Sequence, residues 1–170
     1  MVPDAYYKNV YEINYDKLKE KGYKNLFFDV DNTLIPYTEN EVRKENKELI
    51  NKLKKDFNIV IVSNSKSNRI LKIVNDLKVE GYYSSMKPLK KTYKKILKKY
   101  NKDECIFIGD QFMTDVLGAK KNKLKVILVD RINNIEPIYT KFWRFFEKIL
   151  LIKYSKSNKF IKYNYYDNVN

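Results

Sequence analysis

The stretch Leu26-Phe27-Phe28-Asp29-Val30-Asp31-Asn32-Thr33-Leu34 decides how this chain is read. An apolar run ends in two aspartates one residue apart. Such a run is the pattern of a strand buried on both faces, and the carboxyl edge of a parallel sheet is where α/β proteins place their sites. The spacing separates two roles. Asp29 can attack phosphorus as a nucleophile, while Asp31 can protonate the leaving oxygen and then activate water.

The pattern extends along the chain. Residues 25–30, 58–63, 104–109 and 124–129 are nearly continuous apolar runs rich in Ile, Val and Phe, and are expected to be strands. Between them, residues 41–55, 66–78, 89–100 and 111–121 read as helices, with Leu49, Ile50 and Leu53 on one apolar stripe and Ile70, Leu71, Val74 and Leu77 on another. Gly81-Tyr82-Tyr83 adds a short strand. The alternation predicts a three-layer α/β fold with a parallel sheet. At 170 residues the chain has room for one core and little room for a cap. The expected organisation is a single domain over residues 1–153, N-terminal segment and terminal helix included, followed by a Lys, Asn and Tyr-rich tail at 154–170.

Three more groups follow strand ends. Ser63-Asn64 offers a hydroxyl and an amide that can donate to phosphate oxygens without adding negative charge; alone, the pair would read as a helix cap. Lys87-Pro88 supplies the ammonium needed where an aspartate must approach a phosphate monoester, with Pro88 positioned to begin the next helix. Gly109-Asp110-Gln111-Phe112-Met113-Thr114-Asp115 supplies Asp110, a hard oxygen ligand for Mg²⁺, which the Asp29 carboxylate and the main-chain carbonyl of Asp31 would complete. Asp115 is expected to support either Lys87 or the surroundings of the metal, Thr33 to back the site from behind, and Gly109 to permit a close approach.

In this order the motifs resemble those of the haloacid dehalogenase (HAD) phosphotransferases, and Asn32-Thr33-Leu34 resembles their phosphatase members. The likeness narrows to the YqeG family of subfamily IIIA on Phe28-Asp29-Val30-Asp31-Asn32-Thr33-Leu34-Ile35-Pro36, Val62-Ser63-Asn64, Lys87-Pro88 and Gly109 to Gly118, and covers about residues 3–150. Two departures stand out: Ser65 replaces the family's usual second Asn, and Thr140-Lys141-Phe142-Trp143-Arg144 only approximates a Thr-Arg-x-Asn-Arg segment. The resemblance implies a Rossmannoid fold and an aspartyl-phosphate mechanism. Because eukaryotic relatives are phosphatidylglycerophosphate phosphatases, it also implies a lipid substrate.

Composition sets the outer limits. Thirty-five Lys and Arg against 21 Asp and Glu give a formal charge of +14, which favours anionic ligands or surfaces, although spread-out Lys is also a solubilising face. Nucleic acid is not the expected main ligand. The lack of histidine excludes His-based triads and histidine metal sites, and Cys105, alone and inside an apolar run, is expected to be a buried structural thiol. The start carries no signal-peptide pattern and no stretch approaches a bilayer-spanning length, so a cytoplasmic protein is expected, with peripheral contact at the inner face of a membrane. Trp143, Phe146 and Arg144, in the aromatic and basic stretch 141–153, are the candidates for that contact; the same stretch could instead be a terminal helix on the sheet. A soluble sugar-phosphate or nucleotide phosphatase, and a noncatalytic phosphoprotein- or nucleic-acid-binding module, remain as other readings of the motifs.

Overall fold

A computed structural model describes residues 2–65 and 68–135, together with Ile149 and Ile152. The tail and, Ile149 and Ile152 apart, the stretch expected as a terminal helix, with Trp143, Arg144 and Phe146, lie outside the described residues. In chain order the elements are β1 (Ala5–Tyr7), α1 (Tyr15–Glu20), β2 (Asn25–Phe28), α2 (Lys44–Leu53), β3 (Asn58–Val62), α3 (Asn68–Leu77), β4 (Glu80–Tyr82), α4 (Lys90–Ile96), β5 (Cys105–Gly109), α5 (Leu117–Lys121) and β6 (Lys125–Val129). A 3-10 turn at Lys102–Glu104 precedes β5, and a π turn at Phe112–Val116 runs into α5.

The six strands form one parallel sheet in the order β1-β6-β5-β2-β3-β4. Alternate side chains of each strand go to opposite faces, and both faces are covered. Leu26, Phe28 and Ile61 pack with Leu18 of α1, Ile50 and Leu53 of α2, and Ile70 and Leu77 of α3. On the other face Phe27, Val60 and Phe107 pack with Tyr93 and Ile96 of α4 and Ala119 of α5. This is the three-layer arrangement of a HAD-like Rossmannoid core. Among the described residues, no inserted cap domain interrupts the connections from β2 to α2, β3 to α3 or β4 to α4.

Differences from the expected elements have physical causes. The buried stripe of α3 is Ile70, Ile73, Val74 and Leu77, at spacings of three, four and seven residues, and this turns Leu71 outward with 43% of its surface exposed. The fourth helix stops at Ile96, where the chain tightens into a turn: Lys99 N donates to Ile96 O at 2.9 Å, and Tyr100 packs edge-on against Phe27. Pro88 lies in the turn ahead of α4, not in its first helical position. Cys105 is buried, its Sγ donates to Asn101 O at 2.9 Å, and burial pushes the thiol up to about 12. It is a structural thiol.

Candidate active site

The topology decides where the site can form. The chain leaves β2 toward β3 and β4 on one side, then returns to β5 and β6 on the other, so the strand order reverses between β2 and β5. A crevice opens at the carboxyl edge of such a switch point. Phe28 stands in register with both Ile61 and Ile108. The residues that follow these strands therefore meet at one edge: Asp29 and Asp31 from β2, Ser63 and Asn64 from β3, Asp110 from β5.

The turn after Asp29 has a specific construction. Asp29 N still donates to Ile108 O at 2.9 Å, and the Val30 carbonyl then accepts from the amides of Thr33, Leu34 and Ile35. Asn32 takes a left-handed conformation with φ of 60°, which Asn tolerates better than other residues with a side chain. Its Oδ1 accepts from Tyr37 N at 3.1 Å and its Nδ2 donates to Ile135 O at 3.2 Å. The loop after β6 is thereby tied to the loop carrying the aspartates, and Ile132 N adds a bond to Asn32 O at 3.0 Å.

Lys87 arrives on the loop after β4. Its Nζ donates to Asp29 Oδ1 at 2.6 Å and to Asp115 Oδ1 at 2.7 Å, and all three side chains are almost wholly buried. Asn64 holds this loop: its Oδ1 accepts from Lys87 N at 2.6 Å and from Ser85 Oγ at 2.8 Å, while its Nδ2 donates to Lys87 O at 3.1 Å. The Asn64 side chain is thus engaged in fixing Lys87, whereas the buried Ser63 hydroxyl accepts from Ser65 N at 3.1 Å.

Burial raises the Asp29 carboxyl to about 6; Lys87 pulls it down and Asp115 adds to the rise. Burial works against the Lys87 ammonium, but Asp115 and Asp29 outweigh it and hold the lysine well above its ordinary range. Lys87 therefore stays charged.

Asp110 follows β5, and its Oδ1 accepts from Thr33 Oγ1 at 3.3 Å. The π turn brings Asp115 back to the strand end, where its Oδ2 accepts from Gln111 N at 3.0 Å. Gly109 makes this possible, since a Cβ there would overlap the Asp115 carboxylate. Asp29, Asp110 and Asp115 each offer a carboxylate oxygen, all within 4.8 Å of one another. Three buried oxygen donors opposed by one ammonium are a donor set for a hard divalent cation. The Asp31 carboxylate is turned to another partner, the guanidinium of Arg69. Sequence reasoning passed over Arg69, although it is one of only four arginines in a chain whose basic residues are otherwise lysine.

A family model described as mitochondrial PGP phosphatase matches residues 1–133. The chain belongs to this family. A curated relative, "Probable phosphatase YqeG" of Bacillus subtilis (strain 168), is 31% identical over 153 residues, covering 88% of this chain and 89% of its own length. The fold is shared with YfnB of Bacillus subtilis, assigned as a HAD-hydrolase and bound to magnesium, at a TM-score of 0.56 and 16% identity, covering 69% of this chain and 91% of that one. It is also shared with the cobalt-bound deoxy-D-mannose-octulosonate 8-phosphate phosphatase YrbI of Haemophilus influenzae, at a TM-score of 0.53 and 17% identity, covering 85% and 95%. As a member of this family with this aspartate cluster at its switch point, the protein is a phosphatase of the YqeG kind built on a HAD-like fold, with a carboxylate centre suited to a divalent metal.

Proposed function

We propose that the protein hydrolyses phosphatidylglycerophosphate with Mg²⁺, through an aspartyl-phosphate on Asp29. The observation that carries the chemistry is the fixed contact between Lys87 and Asp29. The ammonium sets the nucleophile's orientation and offsets the repulsion between a carboxylate and an incoming phosphate dianion. Asp29 and Asp110, with the main-chain carbonyl of Asp31, would hold Mg²⁺, which supplies charge neutralisation to the transferring phosphoryl group.

In the first step an Asp29 carboxylate oxygen bonds to phosphorus, the bond from phosphorus to the ester oxygen breaks, and Asp31 gives its proton to the departing alkoxide. In the second, water attacks the same phosphorus, Asp31 takes a proton from it, and the bond from Asp29 to phosphorus breaks to release inorganic phosphate. Ser63 and Lys87 donate to phosphate oxygens throughout, and Asn64 keeps Lys87 in place for that task.

The lipid assignment draws on the family description and on the mouth of the site. Tyr83, Met86 and Leu89 on the Lys87 loop, and Ile132 and Ile135 on the loop tied to Asn32, are large apolar side chains exposed among the described residues of the loops that carry the site. Such a rim suits a headgroup presented from an anionic membrane surface, and Trp143, Phe146 and Arg144 are proposed to extend that contact.

Phosphate release at matched Mg²⁺ tests the assignment. Phosphatidylglycerophosphate in liposomes is expected to react faster than its free glycerophosphate headgroup, and faster than sugar phosphates and nucleotides. Equal efficiency on the lipid and the free headgroup would move the protein to the soluble-metabolite phosphatases.

A further inference from the structure

Arg69 stands in the crevice without a part in the steps above. It lies in the first turn of α3, just after the Ser63-Asn64 loop, with only 11% of its side chain exposed. Its Nη1 donates to Glu39 O at 2.8 Å, its guanidinium carbon lies 5.8 Å from the centre of the Tyr37 ring, and its Nη2 is ion-paired with Asp31 Oδ1. Lys87 serves Asp29 and Asp115 instead, so among the described residues Arg69 and Lys87 pair with different carboxylates of the crevice.

Removing a guanidinium from water is costly, and a clamp between α3 and residues 37–39 could be made with a neutral donor to the Glu39 carbonyl. A rigid planar fork does something more: with one arm fixed on Glu39 O and the ring of Tyr37 beneath, the other arm has a defined direction. That arm meets Asp31.

We propose that Arg69 is the positioning residue for Asp31: it holds Oδ1 of that carboxylate, so that Oδ2 is the oxygen that exchanges a proton with the leaving group and with water. This rests on the assignment of Asp31 as acid and base made above. Arg69 also links the start of α3 to the loop after β2, so the orientation of the acid is tied to the helix that follows the Ser63-Asn64 loop.

The test uses leaving groups of different basicity. An alkyl phosphate needs a proton as its ester bond breaks, whereas an activated aryl phosphate departs as a stable phenolate. Rapid-quench measurement separates phosphoenzyme formation from its decay. For Arg69→Gln and Arg69→Lys, formation from the alkyl ester should slow about 100-fold, the usual scale of general acid assistance, and far more than formation from the aryl ester. Decay should slow equally for both substrates, because it follows the same phosphoenzyme. Arg69→Lys keeps the charge and is the variant to use if Arg69→Gln does not fold. Added guanidinium should restore part of the alkyl rate to Arg69→Ala, and Arg69→Gln should cause no further loss in an Asp31→Asn background.

Equal slowing of phosphoenzyme formation from both esters, or losses that add to those of Asp31→Asn, would overturn the positioning role. Absence of any phosphoenzyme in the wild type would instead overturn the underlying mechanism, so the two failures are distinguishable.

Discussion

Lys87 Nζ lies 2.6 Å from Asp29 Oδ1 although 58 residues separate them in the chain, and neither side chain has more than a tenth of its surface exposed. The contact exists because β4 sits two strands from β2 and its following loop folds back across β3, clasped by Asn64. Removing one partner of a buried ion pair leaves an uncompensated charge. Lys87→Met should therefore destabilise the fold by about 3–5 kcal/mol in denaturant titration and abolish measurable phosphate release. Divalent cations should recover part of the stability, since they neutralise the same carboxylates, but none of the turnover.

The Asp29 carboxyl gives the metal-free protein a pH dependence of known sign. Its folded value of about 6 lies above the ordinary carboxyl value of 3.8, so the folded state binds the proton more tightly and this stabilisation is present below about pH 4. It is lost as pH rises through about 6. Asp29→Asn mimics the protonated form, so its stability relative to the wild type should grow between pH 4 and pH 6 by an amount on the order of 3 kcal/mol. Melting curves at pH 4, 5, 6 and 7.5 check this. A difference that shrinks with rising pH would show that attraction to Lys87 outweighs burial.

Metal binding should be linked to the same proton. At pH 6 a divalent cation entering the cluster must displace protons from Asp29, so calorimetric titration in two buffers of different ionisation enthalpy should report proton release. The release should vanish at pH 8 and in Asp29→Asn.

Asn32 offers a test of the turn that aims the aspartates. Asn32→Gly keeps the left-handed conformation and loses the bonds to Tyr37 N and Ile135 O, while Asn32→Ala loses both bonds and also takes on the backbone penalty of about 1–2 kcal/mol. The alanine variant should be the less stable of the two by chemical denaturation, and both should lose activity more than stability.

The sheet was legible because β2, β3, β5 and β6 are buried on both faces and so carry unbroken apolar runs, whose ends announce Asp29, Ser63 and Asp110. β1 was not. It has three residues, and its burial comes from pairing Ala5 with Ile127, a contact that no local pattern encodes. α1 is likewise short, with Leu18 as its one buried residue, and is set by Asn14, whose side chain accepts from Lys17 N at 3.0 Å. On α3 the expected apolar stripe took in Leu71 and left out Ile73, and only the sheet decides that Ile73 faces in and Leu71 out. Ile73→Ala should accordingly cost about 2–5 kcal/mol, and Leu71→Ser less than about 0.5 kcal/mol. Arg69 escaped notice for a related reason. Its meaning lies in the distance to Asp31, 38 positions earlier, and nothing beside it in the chain points there.

The most direct measurement of the central mechanism is a single-turnover reaction with a radiolabelled phosphate monoester and Mg²⁺, quenched within milliseconds and followed by peptide mapping. A hydroxylamine-sensitive label should be found on the peptide containing Asp29, should decay as inorganic phosphate appears, and should be absent from Asp29→Asn and from metal-free protein. Full phosphate release by Asp29→Asn, or wild-type turnover with no labelled peptide at any time, would contradict an aspartyl-phosphate at Asp29.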